Sequence, residues 1–156
     1  MKKIFILAFL FSSCLNKNNE KEIILNVSSR YVGSVYLVSS NIAPQTEYYV
    51  TKENHGIVYV SYTDFEKNKI MRLKIAETGK FVDKPIKSSR NEFYPEYKTK
   101  RITYYEFAFP TDSAVSKDSL FQIRKNGEIG REVDEFQYYF YTGIVDTSMI
   151  YFAEPK

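Results

Sequence analysis

The chain has 156 residues, with 22 Lys and Arg against 19 Asp and Glu, 14 Tyr and 12 Phe but no Trp, and a single Cys and a single His. One cysteine excludes an internal disulfide, and one histidine beside it leaves too few ligands for a structural zinc site. A formal charge of +3 lacks the clustered cationic excess of a nucleic-acid-binding protein.

Lys2 and Lys3 precede an apolar run over residues 4–11, the small pair Ser12-Ser13, and Cys14. This is the order of a secretory signal peptide. Eight apolar residues span about 12 Å at a helical rise of about 1.5 Å, less than half of a hydrocarbon core of about 30 Å, so the run is too short for a transmembrane helix. The segment resembles a bacterial lipoprotein signal, in which cleavage leaves an acylated cysteine as the new N-terminus, although Phe11 stands where that signal usually has Leu. Cys14 is therefore the expected lipidation site, residues 1–13 the signal, and residues 14–22 a polar tether without hydrophobic period. The rival readings are an ordinary cleaved signal with a stray cysteine and a cytoplasmic protein with an apolar N-terminus. Residues 1–13 hold two lysines and no acid, so cleavage lowers the formal charge from +3 to +1. The expected location is the bacterial cell envelope, anchored to a membrane through the lipid, with the outer membrane favoured.

Residues 23–156 have the length of one domain and carry β-branched and aromatic residues in short runs divided by turn residues. Runs 23–27 and 34–38 flank Ser28 to Gly33, and runs 47–51 and 57–62 flank Lys52 to Gly56; each pair reads as an antiparallel hairpin. Met71-Arg-Leu-Lys-Ile75 alternates apolar with basic residues, as a strand does with one face on a core and the other in water. Glu77-Thr-Gly79 turns it into a strand over 80–83. The basic run Lys98 to Arg101 reads as a solvated turn. Arg101 to Phe109 is the longest strand, ended by Pro110, which has no N–H for a ladder.

Asn126-Gly127, between 120–124 and the run from Glu128, signals a further hairpin. The alternative makes Asp112 to Lys125 a helix, with Asp112 or Ser113 as N-cap and Gly127 just past its end. The last strands are 136–141 and 149–152. Together these elements predict an all-β fold, an antiparallel β-sandwich of eight to ten short strands with at most one short helix.

The runs Tyr31-Val-Gly-Ser-Val-Tyr-Leu-Val38, Asn54-His-Gly-Ile-Val-Tyr59 and Phe140-Tyr-Thr-Gly-Ile-Val145 resemble a family of small exported bacterial lipoproteins known only as a domain of unknown function. The resemblance spans most of residues 23–152. It implies the same kind of β domain and brings no activity or site residues with it.

Site chemistry is sparse. His55 lies in a turn beside Glu53 and Asn54 and is read as an exposed turn residue. Two acidic groupings, Glu132 with Asp134 and Glu135, and Glu92 with Glu96, are candidate carboxylate pairs for a glycosidase, but residues two apart on one strand face lie about 7 Å apart, so many acidic pairs meet its spacing of about 5–9.5 Å by accident and the match carries little weight. Gly-rich phosphate loops and nucleophile elbows are missing, so no cofactor is expected. The tyrosine doublets Tyr48-Tyr49, Tyr104-Tyr105 and Tyr138-Tyr139 each send one ring to either side of a strand. Cross-strand packing is the simpler role; the alternative is an aromatic binding face that includes one ring from Tyr104-Tyr105 and one from Tyr138-Tyr139. Two functions follow: a non-enzymatic, lipid-anchored module that binds an envelope protein, peptide or glycan, which is preferred, and a small envelope hydrolase that uses paired carboxylates.

Overall fold

The computed structural model describes residues 22–67, 71–83, 86–95, 99–111, 121–125 and 128–154. The signal, Cys14 and the tether up to Lys21 lie outside these residues, as do 112–120, Glu96 and Asn126-Gly127. The described residues form nine strands. β1 (Ile23–Val27), β3 (Glu47–Val50) and β5 (Met71–Ile75) make a parallel sheet in the order β3-β1-β5. β2 (Gly33–Ser40), β4 (Ile57–Ser61), β6 (Ser89–Phe93) and β7 (Ile102–Phe109) make a second, mixed sheet in the order β4-β2-β7-β6. β8 (Phe121–Lys125) and β9 (Glu128–Val133) form a hairpin. A single-turn helix α1 (Tyr62–Glu66), a two-turn helix α2 (Glu135–Tyr141) and a 3-10 turn at Thr147–Met149 complete the elements.

The protein is mostly β, as the composition predicts, but it is not the antiparallel-only sandwich. The two expected hairpins are arches. β1 and β2 do not pair; the chain leaves the first sheet at Val27 and enters the second at Gly33, so that Leu25 and Val27 face Val35 and Leu37 across the core. The 51–56 connection repeats the move, and the two arches stack. β3 therefore runs parallel to β1, with Leu25 beside Tyr48, and β4 parallel to β2, with Leu37 beside Val58. A hairpin needs a turn that keeps both strands in one hydrogen-bonded plane, whereas here each side of the turn has an apolar row that is buried only if the strands face one another.

Tyr31 fills the inside of the first arch, its hydroxyl donating to the Ser34 carbonyl at 2.6 Å. The second arch is shaped by Asn54, whose side chain accepts from the N–H groups of Thr51 and Gly56, and by His55 and Gly56 at φ 54° and 72°. Gly56 then accepts a bond from the Tyr36 N–H at 2.9 Å. A Cβ at Gly56 would sit 2.2 Å from the Tyr31 hydroxyl and 2.3 Å from the Ser34 oxygen, so glycine is required for space as well as for backbone angle.

The inner faces of both sheets share one core, built from Ile23, Leu25, Val27, Val50 and Leu73 against Val35, Leu37, Val60 and Phe107. Each such side chain contributes about 1.5–3 kcal/mol by leaving water. The outer face of the parallel sheet is wet: Arg72 and Tyr49 are exposed, and Lys74 pairs with Glu47 at 3.9 Å. The outer face of the second sheet is covered. Tyr36, Val38, Ile57, Ile102 and Tyr104 form a second core with Phe136 of α2, Val145 and Ile150. The order of layers is thus parallel sheet, mixed sheet and C-terminal cover, and six consecutive residues of β2 are buried because both its faces are occupied.

Other corrections concern single elements. Residues 136–141 form α2 instead of a strand. Residues 149–152 make only single bridges, Ile150 to Ser40, with Ala153 adding one to Arg101. The 80–83 segment reduces to a bridge between Phe81 and Lys74. Residues 121–125 are strand β8, so the hairpin reading holds there and the helical alternative does not. β6 was not anticipated, since Ser-Arg-Asn-Glu-Phe is a polar sequence that forms an edge strand by pairing with β7.

Gly56→Ala is expected to destabilise the protein by more than about 2 kcal/mol, from combined clash and left-handed strain. Gly143→Ala, at φ 79° with nothing within 4 Å of the new Cβ, carries only the strain, about 1 kcal/mol. Urea unfolding of both variants checks the difference. A second expectation concerns Glu77, whose carboxylate accepts from the Ser28 hydroxyl and the Ser29 N–H and so ties the first arch to the turn after β5. These bonds lower its pKa from 4.5 to about 2. Between these values the unfolded chain binds the extra proton, so Glu77 stabilises the fold above about pH 4.5 and loses that contribution as pH falls through about 2. Glu77→Gln should flatten the acid limb of a melting-temperature profile measured over that window.

Candidate functional site

α2 begins at Asp134, which sits in extended backbone and accepts from the Gln137 N–H at 2.8 Å, an N-cap bond. It ends at Gly143, whose left-handed φ lets the Ile144 N–H reach back to the Tyr139 carbonyl. Phe136 lies on the sheet, stacked on Tyr104 with ring centroids 4.0 Å apart and 5.5 Å from Tyr36. Glu135 supplies the polar fastening: its two carboxylate oxygens accept from the Tyr36 and Tyr139 hydroxyls, each at 2.7 Å. Burial first, and Glu135 second, pushes the Tyr36 and Tyr139 phenols well above their ordinary pKa. Burial with the charge of Glu135 raises Tyr31 to about 12.

The far end of α2 forms a groove. Phe93 of β6 is buried and holds two rings edge-on, Phe140 at 5.2 Å and Tyr141 at 5.8 Å. Arg131 of β9 lies over Tyr141, its guanidinium 5.2 Å from the ring centre and also donating to the Tyr141 hydroxyl. Phe140 and Tyr141 line the groove with Phe152 and Pro95; Thr99, Lys100 and Thr147 add polar groups. Its volume is about 590 Å3, within the range of about 300–1,000 Å3 typical of ligand sites. Fixed aromatic walls with a few hydroxyl and ammonium donors suit a ligand that has flat apolar faces and polar edges. Arg101 is fixed beside it by an ion pair to Glu92.

The residues singled out from sequence fall elsewhere. Tyr104 is 4% exposed beneath α2, and Tyr105, on the opposite face of β7, packs on Phe65 at 4.8 Å. Tyr138 and Tyr139 are on the helix; Tyr138 stacks on Phe121 of β8 and Tyr139 bonds Glu135. The outward rings of two adjacent strands, on which the expected binding face depends, do not exist in this arrangement. Asp134 is a helix cap, Glu135 is bonded by two phenols, Glu132 is exposed on β9, and Glu92 pairs with Arg101. His55 is an exposed turn residue, its ring 5.3 Å from that of Tyr139.

Phe140, Tyr141, Phe152, Lys100 and Thr147 were not singled out from sequence. The signal for the first two was present: Asp134 as cap, Glu135 in the first turn and Gly143 beyond the end bracket the aromatic run as a helix. Among the described residues, no group of three His, Cys, Asp or Glu is placed to hold a metal ion, and no helix is long and apolar enough to cross a membrane. No known family, curated protein or solved structure matches the chain.

Tyr36, Tyr104 and Tyr139 all have raised pKa values, so below pH 10 their protonated form contributes its full stabilisation, which is lost as rising pH ionises the unfolded chain first. In an alkaline titration followed by phenolate absorbance, these rings should ionise only together with loss of near-ultraviolet circular dichroism. Ionisation of all fourteen tyrosines before that loss is the opposite outcome.

Proposed function

We propose that this chain is an exported lipoprotein of the bacterial envelope, held to a membrane by lipid on Cys14, whose folded part is a non-enzymatic module that binds an envelope glycan or peptide in the groove beside α2. The outer membrane is the favoured location. The order of Lys2-Lys3, apolar run, small residues and cysteine supports the anchor. The observation that carries the binding reading is the groove itself, whose rings Phe140 and Tyr141 are fixed from behind by Phe93 and Arg131. A binding surface gains affinity when its aromatic contacts are ordered before the ligand arrives. Of the carboxylates named for the hydrolase alternative, Asp134, Glu135 and Glu92 are engaged by groups of the fold, Glu132 is exposed, and Glu96 lies outside the described residues.

The test is capture from the native envelope by the lipidated protein, with bound material identified by mass spectrometry. Thr147→Trp, at an exposed position, should fill the groove and reduce capture at least tenfold without moving the melting temperature. Unchanged capture would remove the groove from consideration. Cys14→Ala should leave the chain unprocessed or in the soluble fraction, whereas unchanged membrane fractionation with the same mature N-terminus would refute the anchor.

A further inference from the structure

We propose that the turns of the two stacked arches form a second site, which takes a small phosphate monoester. A cleft of about 350 Å3 opens there, bordered by Arg30 and Tyr31 of the first arch and by Val50 and Lys52 at the start of the second. It shares no residue with the groove beside α2. Its size is at the small end of the range of about 300–1,000 Å3 typical of ligand sites, which suits one small molecule. The parallel register of β3 on β1, with Val27 beside Val50, sets the two turns side by side, so cations from separate turns meet at one cleft.

The charged groups there are unevenly used. Among the described residues, the Arg30 guanidinium and the Lys52 ammonium make neither an ion pair nor a hydrogen bond. The neighbouring carboxylates are engaged: Glu77 accepts from the Ser28 hydroxyl and the Ser29 N–H, and Glu53 is held below the usual carboxylate range by its own N–H and the Thr51 hydroxyl, with Lys52 adding least. At a distance the two acids offset the two cations, so selection is decided in contact, where the cleft has N–H donors to spare. A phosphate monoester is the anion that uses both cations. It carries about −1.5 to −2 charge at pH 7 and three acceptor oxygens, enough for the Arg30 fork to pair two oxygens while Lys52 meets the third. A carboxylate or a sulfate ester has a single charge to divide between them. Tyr31 and Val50, both buried, back the cleft with apolar surface for the organic group of the ester.

The test is calorimetric titration of the full chain at low ionic strength and about pH 8, above the second phosphate pKa of about 6. The probes are phenyl phosphate and phenyl sulfate, its singly charged analogue of like shape. Phenyl phosphate should bind at least tenfold more tightly. Arg30→Gln and Lys52→Gln should each weaken it at least fivefold and bring the two probes closer together, whereas Lys87→Gln, which removes an exposed cation outside the cleft, should change neither. Arg30 and Lys52 are exposed, so both variants should keep the melting temperature of the unaltered chain, which separates lost contact from lost fold. Equal affinity for the two probes, no binding of either, unchanged affinity in Arg30→Gln, or an equal loss in Lys87→Gln, the mark of diffuse surface charge, overturns the proposal.

Discussion

The stacking of the second arch on the first, at the contact between Tyr31 and Gly56, is the constraint on which the other layers depend. Tyr31 fills the inside of one turn and bonds Ser34, and the backbone of Gly56 passes against that hydroxyl too closely for any side chain. Because the arches stack in register, β3 must follow β1 in one sheet and β4 must follow β2 in the other, both in parallel. Two parallel ladders then arise without the long helical crossovers that parallel strands usually need. The opposite sheet serves as each crossover.

The arrangement leaves β2 in the centre of the mixed sheet with apolar residues on both faces. The inner face is answered by the parallel sheet. The outer face, with Tyr36, Val38, Ile57 and Tyr104, would be an exposed apolar patch if α2 and the segment through Ile150 did not cover it. Covering a twisted sheet with one two-turn helix leaves a margin where the helix ends, and the groove beside Phe140, Tyr141 and Phe152 lies at that margin. The candidate binding site is in this sense a consequence of the fold, located where the cover stops.

Much of the strand content was legible, because β-branched runs such as Val35-Tyr-Leu-Val38 and Ile57-Val-Tyr-Val60 have few other uses. Pairing was not. A hairpin and an arch both join two apolar runs through a turn of similar composition, and the difference depends on whether the runs meet edge to edge or face to face. One hint existed: Val35 to Val38 is apolar without alternation, the pattern of a strand buried on both faces, and such strands belong to layered folds with parallel pairing. For 136–141 the aromatic residues outweighed the capping signals at Asp134 and Gly143, although the caps describe local backbone geometry and the aromatics only describe burial. β6 was invisible, since its position is given by the partner β7 and its sequence is polar. The groove was illegible because Lys100, Thr147 and Phe152 are brought together only by tertiary packing.

The abundance of tyrosine in a chain without tryptophan follows from the layered design. A layer joint needs a side chain long enough to cross it, apolar along its body and able to hydrogen-bond at its tip. Tyr36 crosses from the mixed sheet to α2 and ends on Glu135, and Tyr139 returns from α2 to the same carboxylate. Tyr59 reaches the C-terminal segment, where its hydroxyl accepts from the Asp146 N–H at 2.7 Å. Tyr31 does the same within the arches. Phenylalanine would fill nearly the same volume but would leave Glu135 and the Asp146 N–H without these partners, and a polar group stripped of its partner in a partly buried setting costs about 1–3 kcal/mol. Of the tyrosines that stood out in the sequence as candidates for recognition, Tyr139 is one of these fastenings, while Tyr104, Tyr105 and Tyr138 pack on Phe136, Phe65 and Phe121; the groove where the fastened cover ends is lined instead by Phe140 and Tyr141.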